Sequence, residues 1–344
     1  MNFSSDNVAG VSPEILAALV EANHGRAASY GSDEITARLE KRFAEVFERQ
    51  VWVMPLISGT AANALALASL VPPWGMVYCH EAAHVATHEC GALEFYSGGA
   101  RIKGLPGAHG RISAAQLADL LPDGRGVVYA TQPSAISLTQ ATEAGTAYTC
   151  EEIAAIAEVG RAHGLALHMD GARFANALVH LGVNPADMTW KAGVEALSFG
   201  ATKNGAMGAE ALIFFDERRA AECAFRRMRA GHLVSKMRFL SAQLEAYLTD
   251  DLWLRNARHA NAMAQRLAAG LAEVPGARLS HPVEANEVFA ELPEAVIAGL
   301  EARGFRFYRW NESSIRLVTA FDTPATDVDA LIAAARELAD EVSR

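Results

Sequence analysis

Two stretches decide the fold, Leu165-Ala-Leu-His-Met-Asp170 and Val194-Glu-Ala-Leu-Ser-Phe199, and each is a short, mostly apolar run. Runs of this kind are typical of strands buried in a parallel sheet. The first run ends on Asp170, and a glycine-bearing loop after the second carries Lys203. Open α/β sheets bind their ligands at the carboxyl ends of the strands. The sequence therefore predicts a carboxylate and an amine at one ligand-binding edge.

Asp170 and Lys203 supply the two functions that pyridoxal 5'-phosphate (PLP) requires of a protein. A lysine amine forms an imine with an aldehyde, and an aspartate keeps a pyridine nitrogen protonated so that the ring accepts electrons. The structural alternative is an aspartate that caps a turn and a surface lysine in a glycine-rich loop. Paired ionisable residues indicate a site only statistically, so the choice depends on the rest of the chain.

Composition restricts the class of protein. The chain has 344 residues, 51% hydrophobic and 20% charged, which is enough for one large domain, a smaller one and an extensive core. Its net charge of -10 disfavours binding to nucleic acid, so we expect a small-molecule substrate and copies of the chain itself as partners.

The cellular setting follows from the cysteines and the N-terminus. The four cysteines form no C-x-x-C pair, which argues against a disulfide framework or a thiolate zinc site and favours a reducing, cytoplasmic location. Residues 1–8 have neither a basic start nor an apolar core, so no signal peptide is expected. No apolar run approaches the length that spans a bilayer, so no membrane association is expected.

Helical and strand patterns alternate along most of the chain, which predicts a mostly parallel sheet covered by helices on both faces. One predicted strand, residues 126–130, runs into the polar loop 131–134. Composition shifts near residue 248, and the tail reads as strand, helix, two strands and helix. We therefore predict a large domain over residues 1–248 and a small α+β domain over residues 249–344.

Ser58-Gly59-Thr60 connects a predicted strand to an almost wholly apolar helix. Its backbone N–H groups, its two hydroxyls and the positive end of the helix dipole suit a phosphate. The alternative is a tight turn in which Thr60 caps a core helix.

His80-Glu-Ala-Ala-His84 matches the zinc-peptidase pattern H-E-x-x-H, and His88 follows four residues later. No third ligand stands at a peptidase spacing, and zinc would leave Asp170 and Lys203 without a role, so we expect no metal. A third interpretation is that the His84 ring stacks on a bound aromatic ring.

Two residues could reach a ligand from outside the sheet. Arg316 stands among apolar neighbours in a predicted strand, and its planar guanidinium matches a carboxylate. The alternative is an arginine on an edge strand that points to solvent. Tyr30 lies in a loop between the first two predicted helices, from which it could enter a cleft.

With these pieces in order, the chain resembles the fold-type-I PLP enzymes and, more narrowly, the low-specificity L-threonine aldolases of the β-eliminating-lyase group. The motifs that carry the resemblance are Phe3-Ser-Ser-Asp-Asn7, Tyr30-Gly31, Ser58-Gly-Thr-Ala-Ala-Asn63, His80-Glu-Ala-Ala-His84, His168-Met-Asp-Gly-Ala-Arg173, Gly200-Ala-Thr-Lys-Asn204 and Ser314-Ile-Arg316. The Asp-Gly-Ala-Arg and Thr-Lys-Asn elements at this separation are the specific ones. The resemblance implies an α/β fold-type-I architecture and PLP as the cofactor.

The resemblance also implies a role for each site residue. Around the cofactor, Lys203 would be the Schiff-base lysine and Asp170 the partner of the pyridinium nitrogen. Arg173 would lie near the phenolic oxygen and His84 would stack on the ring. Ser58-Gly59-Thr60 would hold the phosphate. Around the substrate carboxylate it implies Ser5, Arg173 and Arg316. It further implies a homodimer or homotetramer whose active sites lie between subunits, with Tyr30 serving a neighbour's site.

The implied reaction is retro-aldol cleavage of L-threonine, L-allo-threonine and related β-hydroxy-α-amino acids to glycine and an aldehyde. His84 is the candidate base, because an imidazole titrates near working pH. Many relatives carry a second active-site histidine, expected here in loop 131–134, which contains none. The identity of the base therefore stays open. The alternatives are another PLP lyase, acting by β-elimination or preferring phenylserine, a zinc hydrolase, and a non-catalytic PLP-binding protein.

Overall fold

The computed structural model describes residues 1–121, 125–311 and 313–342. Its centre is a seven-stranded sheet with the strand order β1-β7-β6-β5-β4-β2-β3. The strands are β1 (Trp52–Leu56), β2 (Gly75–His80), β3 (Arg101–Leu105), β4 (Gln132–Thr139), β5 (Ala166–Gly171), β6 (Ala196–Gly200) and β7 (Glu210–Phe214). Four neighbouring pairs are parallel, whereas β7 runs antiparallel to both β6 and β1. The predicted mostly parallel sheet is confirmed.

Helices cover both faces of this sheet. In chain order the helices are α1 (Pro13–Ala22), α2 (Glu34–Val46), α3 (Gly59–Leu70), α4 (His84–Thr87), α5 (Ala92–Ser97), α6 (Ala114–Leu120), α7 (Cys150–Ala162), α8 (Phe174–Leu181), α9 (Pro185–Met188), α10 (Glu217–Arg229), α11 (Arg238–Leu248), α12 (Leu252–Ala272), α13 (Glu294–Ala302) and α14 (Ala325–Val342). Successive residues of a strand point to opposite faces. On β7, Ala211 and Ile213 accordingly pack in one core with α2, α8 and α11, while Leu212 and Phe214 pack in another with α3 and α10.

A second, antiparallel sheet of four strands has the order β10-β11-β9-β8. Its strands are β8 (Arg278–Leu279), β9 (Glu287–Glu291), β10 (Tyr308–Arg309) and β11 (Ser314–Val318). This sheet and helices α12 to α14 surround a separate apolar core. Helix α12 joins the two parts, because Trp253 near its start lies in the large core and Leu271 near its end lies in the small one.

The N-terminus also reaches the small core. Phe3 is buried there, its N–H donates to the Arg306 carbonyl, and its own carbonyl accepts from the Val318 N–H. A boundary at residue 248 stays a prediction, since the chain passes between the two cores at more than one point.

The predicted strand 126–130 is wrong. Val128 and Tyr129 are 100% and 96% exposed, and residues 126–130 form turns. The Gln132 side chain stabilises these turns, because it accepts a hydrogen bond from the Gly126 N–H and donates one to the Ala130 carbonyl. The strand begins instead at Gln132, so residues 131–134 lie at the amino-terminal end of β4, where Gln132 pairs with Gly75. The second strand predicted in the tail, residues 305–310, pairs with β11 only at Tyr308 and Arg309, and Arg306 forms an isolated bridge with Asn2.

None of the helices in the described ranges combines the length and apolar character needed to cross a membrane.

Candidate active site

A cavity of about 290 Å³ opens at the carboxyl ends of β4, β5 and β6, beside the start of α3. It is lined by Asn7, Ile57, Ser58, Gly59, Thr60, Ala62, Asn63, His84, Thr139, Ala141, Glu143, Asp170, Ala172, Arg173, Ser198, Gly200, Thr202, Lys203 and Glu210. Seven of the ten predicted site residues are among them. The other three, Ser5, Tyr30 and Arg316, do not line it.

Asp170 lies at the end of β5 and is almost fully buried, with 3% of its surface exposed. Its Oδ1 accepts a hydrogen bond from the Ala172 N–H at 3.0 Å, and its Oδ2 accepts one from Asn63 Nδ2 at 2.8 Å. Bonds to both oxygens fix the orientation of the carboxylate. A buried polar group costs free energy unless it is hydrogen-bonded, so these contacts reduce the cost of placing Asp170 at the base of the cavity.

Asn63 connects Asp170 to a second buried acid. The same Nδ2 also donates to Glu89 Oε1 at 2.9 Å, and that oxygen lies 2.8 Å from His84 Nδ1. Burial raises the pKa of Glu89, whereas the hydrogen bond that His84 Nδ1–H donates to Glu89 raises the pKa of His84. Bonding at Nδ1 fixes the plane of the His84 ring, which stacks on His88 with ring centres 5.7 Å apart.

Lys203 lies in a single turn of 3-10 helix, Thr202–Asn204, directly after β6. The following residue, Asn204, anchors this turn by donating to the Tyr247 hydroxyl at 2.6 Å and the Trp253 carbonyl at 2.8 Å. Gly205 has a φ of +115°, and a Cβ there would lie 2.2 Å from Ser12 Oγ. The turn is therefore held from the side away from the cavity.

Glu210 lies on β7 and is buried beside this turn. Its Oε2 accepts from the Ala201 N–H at 2.9 Å, which ties β7 to the residue before the lysine turn. Burial raises the pKa of Glu210 to about 7.

Ser58 caps helix α3, since its hydroxyl accepts from the Ala61 N–H at 3.3 Å. The helix is buried from Ala61 to Leu70, so its N-terminus opens into the protein rather than into bulk water. A Cβ on Gly59 would meet nothing within 4 Å, which leaves room for a ligand close to the backbone. Free N–H groups and the positive end of the helix dipole at such a position suit an anion.

Arg173 is largely buried between two carboxylates, with 11% of its side chain exposed. Asp6 binds its guanidinium through two contacts of 2.8 and 3.1 Å, and Glu287 Oε2 lies 3.2 Å from Nη1. Burial opposes the charged form of Arg173, but the charges of Asp6 and Glu287 outweigh it and raise its pKa. Arg173 therefore remains a cation with one edge towards the cavity.

Arg316 lies next to Glu287, the acid that it shares with Arg173. Its Nη1 is 3.8 Å from Glu287 Oε1, its Nη2 donates to the Ser4 carbonyl at 3.3 Å, and its guanidinium carbon lies 4.9 Å from the centre of the Tyr308 ring. Only 19% of the Arg316 side chain is exposed, so it does not extend into solvent as a typical edge-strand arginine would.

Ser5 and Tyr30 lie outside the cavity. Ser5 Oγ accepts from the Asn7 N–H at 3.1 Å and caps a short turn. Tyr30 adopts a φ of +56° and is 53% exposed.

The H-E-x-x-H segment does not form one helical face. His80 ends β2, and its Nε2 donates to the Gly107 carbonyl at 3.0 Å, while His84 opens helix α4. A zinc peptidase needs both imidazoles on one helix. Within the described ranges, no three His, Cys, Asp or Glu side chains are grouped so that they could hold a metal ion.

Sequence reasoning missed the acids and the amide that surround the predicted residues. They are Asp6, Asn63, Glu89, Glu143, Glu210 and Glu287. Asn63 had a usable signal, since it is a lone amide near the start of an almost wholly apolar helix. Glu143 had none, because the end of β4 was not recognised.

Comparisons with known proteins agree on one family. The sequence model of the beta-eliminating lyase family matches residues 2–295. The chain is 45% identical over 341 residues to a low specificity L-threonine aldolase of Pseudomonas aeruginosa, covering 99% of this chain and 96% of that protein. A second protein of that name, from a Pseudomonas species, is 43% identical over 96% of both chains. A solved structure of Leishmania major threonine aldolase superposes with a TM-score of 0.92 at 29% identity, covering 98% and 99% of the two chains.

Proposed function

This chain belongs to the beta-eliminating lyase family, and we propose that it is a PLP-dependent aldehyde-lyase of the L-threonine aldolase type. It cleaves L-threonine, L-allo-threonine and related β-hydroxy-α-amino acids to glycine and an aldehyde. The observation that most strongly supports this reaction is the near full-length similarity to the Pseudomonas aeruginosa protein. It disfavours β-elimination and metal-dependent hydrolysis, neither of which that name describes.

The cavity fits PLP. A buried, hydrogen-bonded carboxylate at Asp170, an amine at Lys203 and the open N-terminus of α3 surround one space. When bound, PLP supplies an aldehyde for amines and an electron-accepting ring. Lys203 would hold the aldehyde, Asp170 would keep the ring nitrogen protonated, and the backbone at Ser58, Gly59 and Thr60 would hold the phosphate.

His84 and Arg173 complete the proposed cofactor site. Glu89 fixes the plane of the His84 ring through Nδ1, which supports a role for this ring in stacking against the pyridine. Arg173 is a largely buried cation between Asp6 and Glu287, which supports a role next to the phenolic oxygen.

Arg316, Arg173 and Ser5 are proposed to bind the substrate carboxylate. The two guanidiniums share Glu287, which lies 3.2 Å from Arg173 and 3.8 Å from Arg316. Glu287 has no hydrogen-bond partner at either oxygen among the described residues, so its contacts with the arginines are ionic. A substrate carboxylate would therefore join an existing cluster of opposite charges, in which Glu287 sets the spacing of the two cations.

We propose a homodimer or homotetramer with the active sites at the subunit interface. Large apolar side chains on α5 and α10 are exposed in the single chain, with Phe95 at 78%, Phe225 at 77% and Met228 at 58%. Exposed apolar groups of this size favour burial against another copy. Tyr30, also exposed, would then contact a neighbour's substrate. Light scattering of the active protein tests this, and an active monomer would contradict it.

A cytoplasmic location is the last part of the proposal. It is supported by the free thiols of all four cysteines, Cys79, Cys90, Cys150 and Cys223.

The test of the reaction is an aldehyde assay on the PLP-loaded chain. L-threonine, L-allo-threonine and phenylserine should each release an aldehyde and glycine, and Lys203→Ala should release neither. Lys191→Ala is the matched control, because that lysine is bound to Glu48 and Asp187 on the surface. Aldehyde release by Lys203→Ala at the wild-type rate would overturn the proposal.

A further inference from the structure

Glu143 lies at the cavity but has no part in the roles proposed above. It follows β4 by four residues, at the edge where Thr139 of β4 pairs with Asp170 of β5. The loop that carries it is tightly held. Thr142 and Thr146 both donate to the His109 carbonyl, at 3.1 and 2.7 Å. Glu143 is therefore presented to the cavity by a rigid segment.

The two oxygens of Glu143 have different surroundings. Oε1 accepts from the His84 backbone N–H at 2.7 Å and from the Thr139 hydroxyl at 3.1 Å. Oε2 is buried and has no hydrogen-bond partner in the described part of the chain. A buried polar atom without a partner costs free energy, and such atoms in native proteins call for an explanation. One oxygen is held while the other remains able to take a proton.

The surroundings of Glu143 favour its neutral form. Burial, with a smaller contribution from the negative charge of Asp170, raises its pKa to about 7. Arg173, Tyr148 and Cys79 are the other titratable groups that it influences. A general base works best when its pKa is near the working pH. Glu143 meets that condition as the structure stands.

His84, the candidate base from sequence, is already engaged in other contacts. Its Nδ1 is bonded to Glu89, so this ring nitrogen is not free to accept a proton from the substrate. Its ring is also the part of the residue assigned to contact the cofactor.

Resting on the proposed function, we propose that Glu143, rather than His84, is the catalytic base that accepts the β-hydroxyl proton of the substrate. The O–H bond breaks and its proton moves to Oε2 of Glu143. The Cα–Cβ bond breaks, its electron pair stays with Cα, and a C=O bond forms in the departing aldehyde. Glycine formation needs one proton at Cα, which balances the proton that Glu143 received.

The main experiment separates cleavage from a partial reaction that has no β-hydroxyl. Glu143→Gln, loaded with PLP, should lose threonine cleavage by about 100-fold or more. It should still exchange the α-hydrogen of glycine with deuterium from heavy water, because that exchange removes a C–H proton. His84→Phe keeps an aromatic ring without a base and should retain more cleavage than Glu143→Gln.

The outcomes are distinct. Cleavage at the wild-type rate by Glu143→Gln overturns the inference, as does equal loss of cleavage and exchange, which would indicate general damage to the site. A wild-type protein that neither cleaves nor exchanges would overturn the proposed function itself.

A second measurement needs no cofactor. Infrared spectra of the full chain should contain protonated-carboxyl absorption that falls as the pH rises through about 7. Glu143→Gln should remove the part of this absorption that belongs to Glu143 and leave the part that belongs to Glu210. Glu195→Gln is the control, since burial also raises the pKa of Glu195 but it lies at the opposite edge of the sheet, where its N–H bonds the Leu167 carbonyl. A spectrum unchanged by Glu143→Gln would contradict the assignment.

Chemical rescue tests the same role with a variant that does not place a glutamine amide at position 143. Glu143→Ala should regain cleavage when formate is added, and the restored rate should rise with formate concentration. A residue with only a structural role would not show this dependence, so an unchanged rate would overturn the inference.

Discussion

Replacing Glu143 by glutamine should stabilise the protein while it removes a catalytic group. Glutamine resembles the protonated acid, which is the form that the buried site favours. A tenfold change in proton affinity corresponds to about 1.36 kcal/mol, so a pKa raised from 4.5 to about 7 corresponds to about 3 kcal/mol. Below pH 4.5 the acid is protonated in both the folded and the unfolded chain, and the stabilising proton is fully present. That contribution is lost as the pH rises through 7, because the site must then hold a charge.

The unfolding free energies of wild type and Glu143→Gln should therefore diverge with pH. The variant should gain up to about 3 kcal/mol relative to wild type between pH 4.5 and pH 8. Glu210, whose pKa burial also raises to about 7, is present in both proteins and cancels from the difference. Urea denaturation of the cofactor-free chain at a series of pH values measures it. Glu158→Gln, at an exposed position of α7, is the control.

A difference that does not change with pH, or a variant less stable than wild type at pH 8, would refute this reasoning. The first result would mean that Glu143 is as well solvated as a surface glutamate. The second would mean that the charged form makes contacts stronger than the cost of its burial.

Two further predictions concern substrate binding. Arg316→Ala should raise the KM for L-threonine by about 10-fold or more, which is the loss expected for a charge-assisted hydrogen bond. The kcat should change less, because the substitution removes a cation without altering Asp170 or Lys203. An unchanged KM would show that Arg316 does not bind the substrate. Mixing Tyr30→Phe chains with Lys203→Ala chains should give oligomers with more activity than either variant alone. In a mixed dimer, one site combines the intact Lys203 of one chain with the intact Tyr30 of the other. No gain in activity on mixing would show that each chain completes its own site.

The sequence predicted the parts of the fold that have strong periodic signals. The β5 and β6 strands are mostly apolar runs, which is the usual sequence pattern of buried parallel strands. Strand β3, with the sequence Arg-Ile-Lys-Gly-Leu, was missed because it is an exposed edge strand with little apolar content. Residues 126–130 gave the opposite error: their apolar side chains predicted a strand, but these side chains are exposed in turns.

The site could be predicted where chemistry depends on a residue type at a strand end, as for Asp170 and Lys203. It could not be predicted where the role depends on burial. Glu143 and Glu89 read as ordinary acids, and only the fold removes them from water and raises the pKa of each. The missing second histidine was sought in residues 131–134, at the amino-terminal end of β4, whereas the segment that faces the cavity follows Thr139.

The carboxylate clusters explain a further limit. Asp6 and Glu287 come from opposite ends of the chain and meet at Arg173. Contacts between residues so far apart in sequence follow from how the two cores pack, and no local pattern encodes them.

The most direct test of the account is to identify the lysine that holds the cofactor. The PLP-loaded protein is reduced with borohydride, digested and analysed by mass spectrometry, with Asp170→Asn in parallel. We expect the pyridoxyl group on Lys203 in both proteins, with cleavage of L-threonine strongly reduced in the aspartate variant. A label on any other lysine, or full cleavage by Asp170→Asn, would contradict the account.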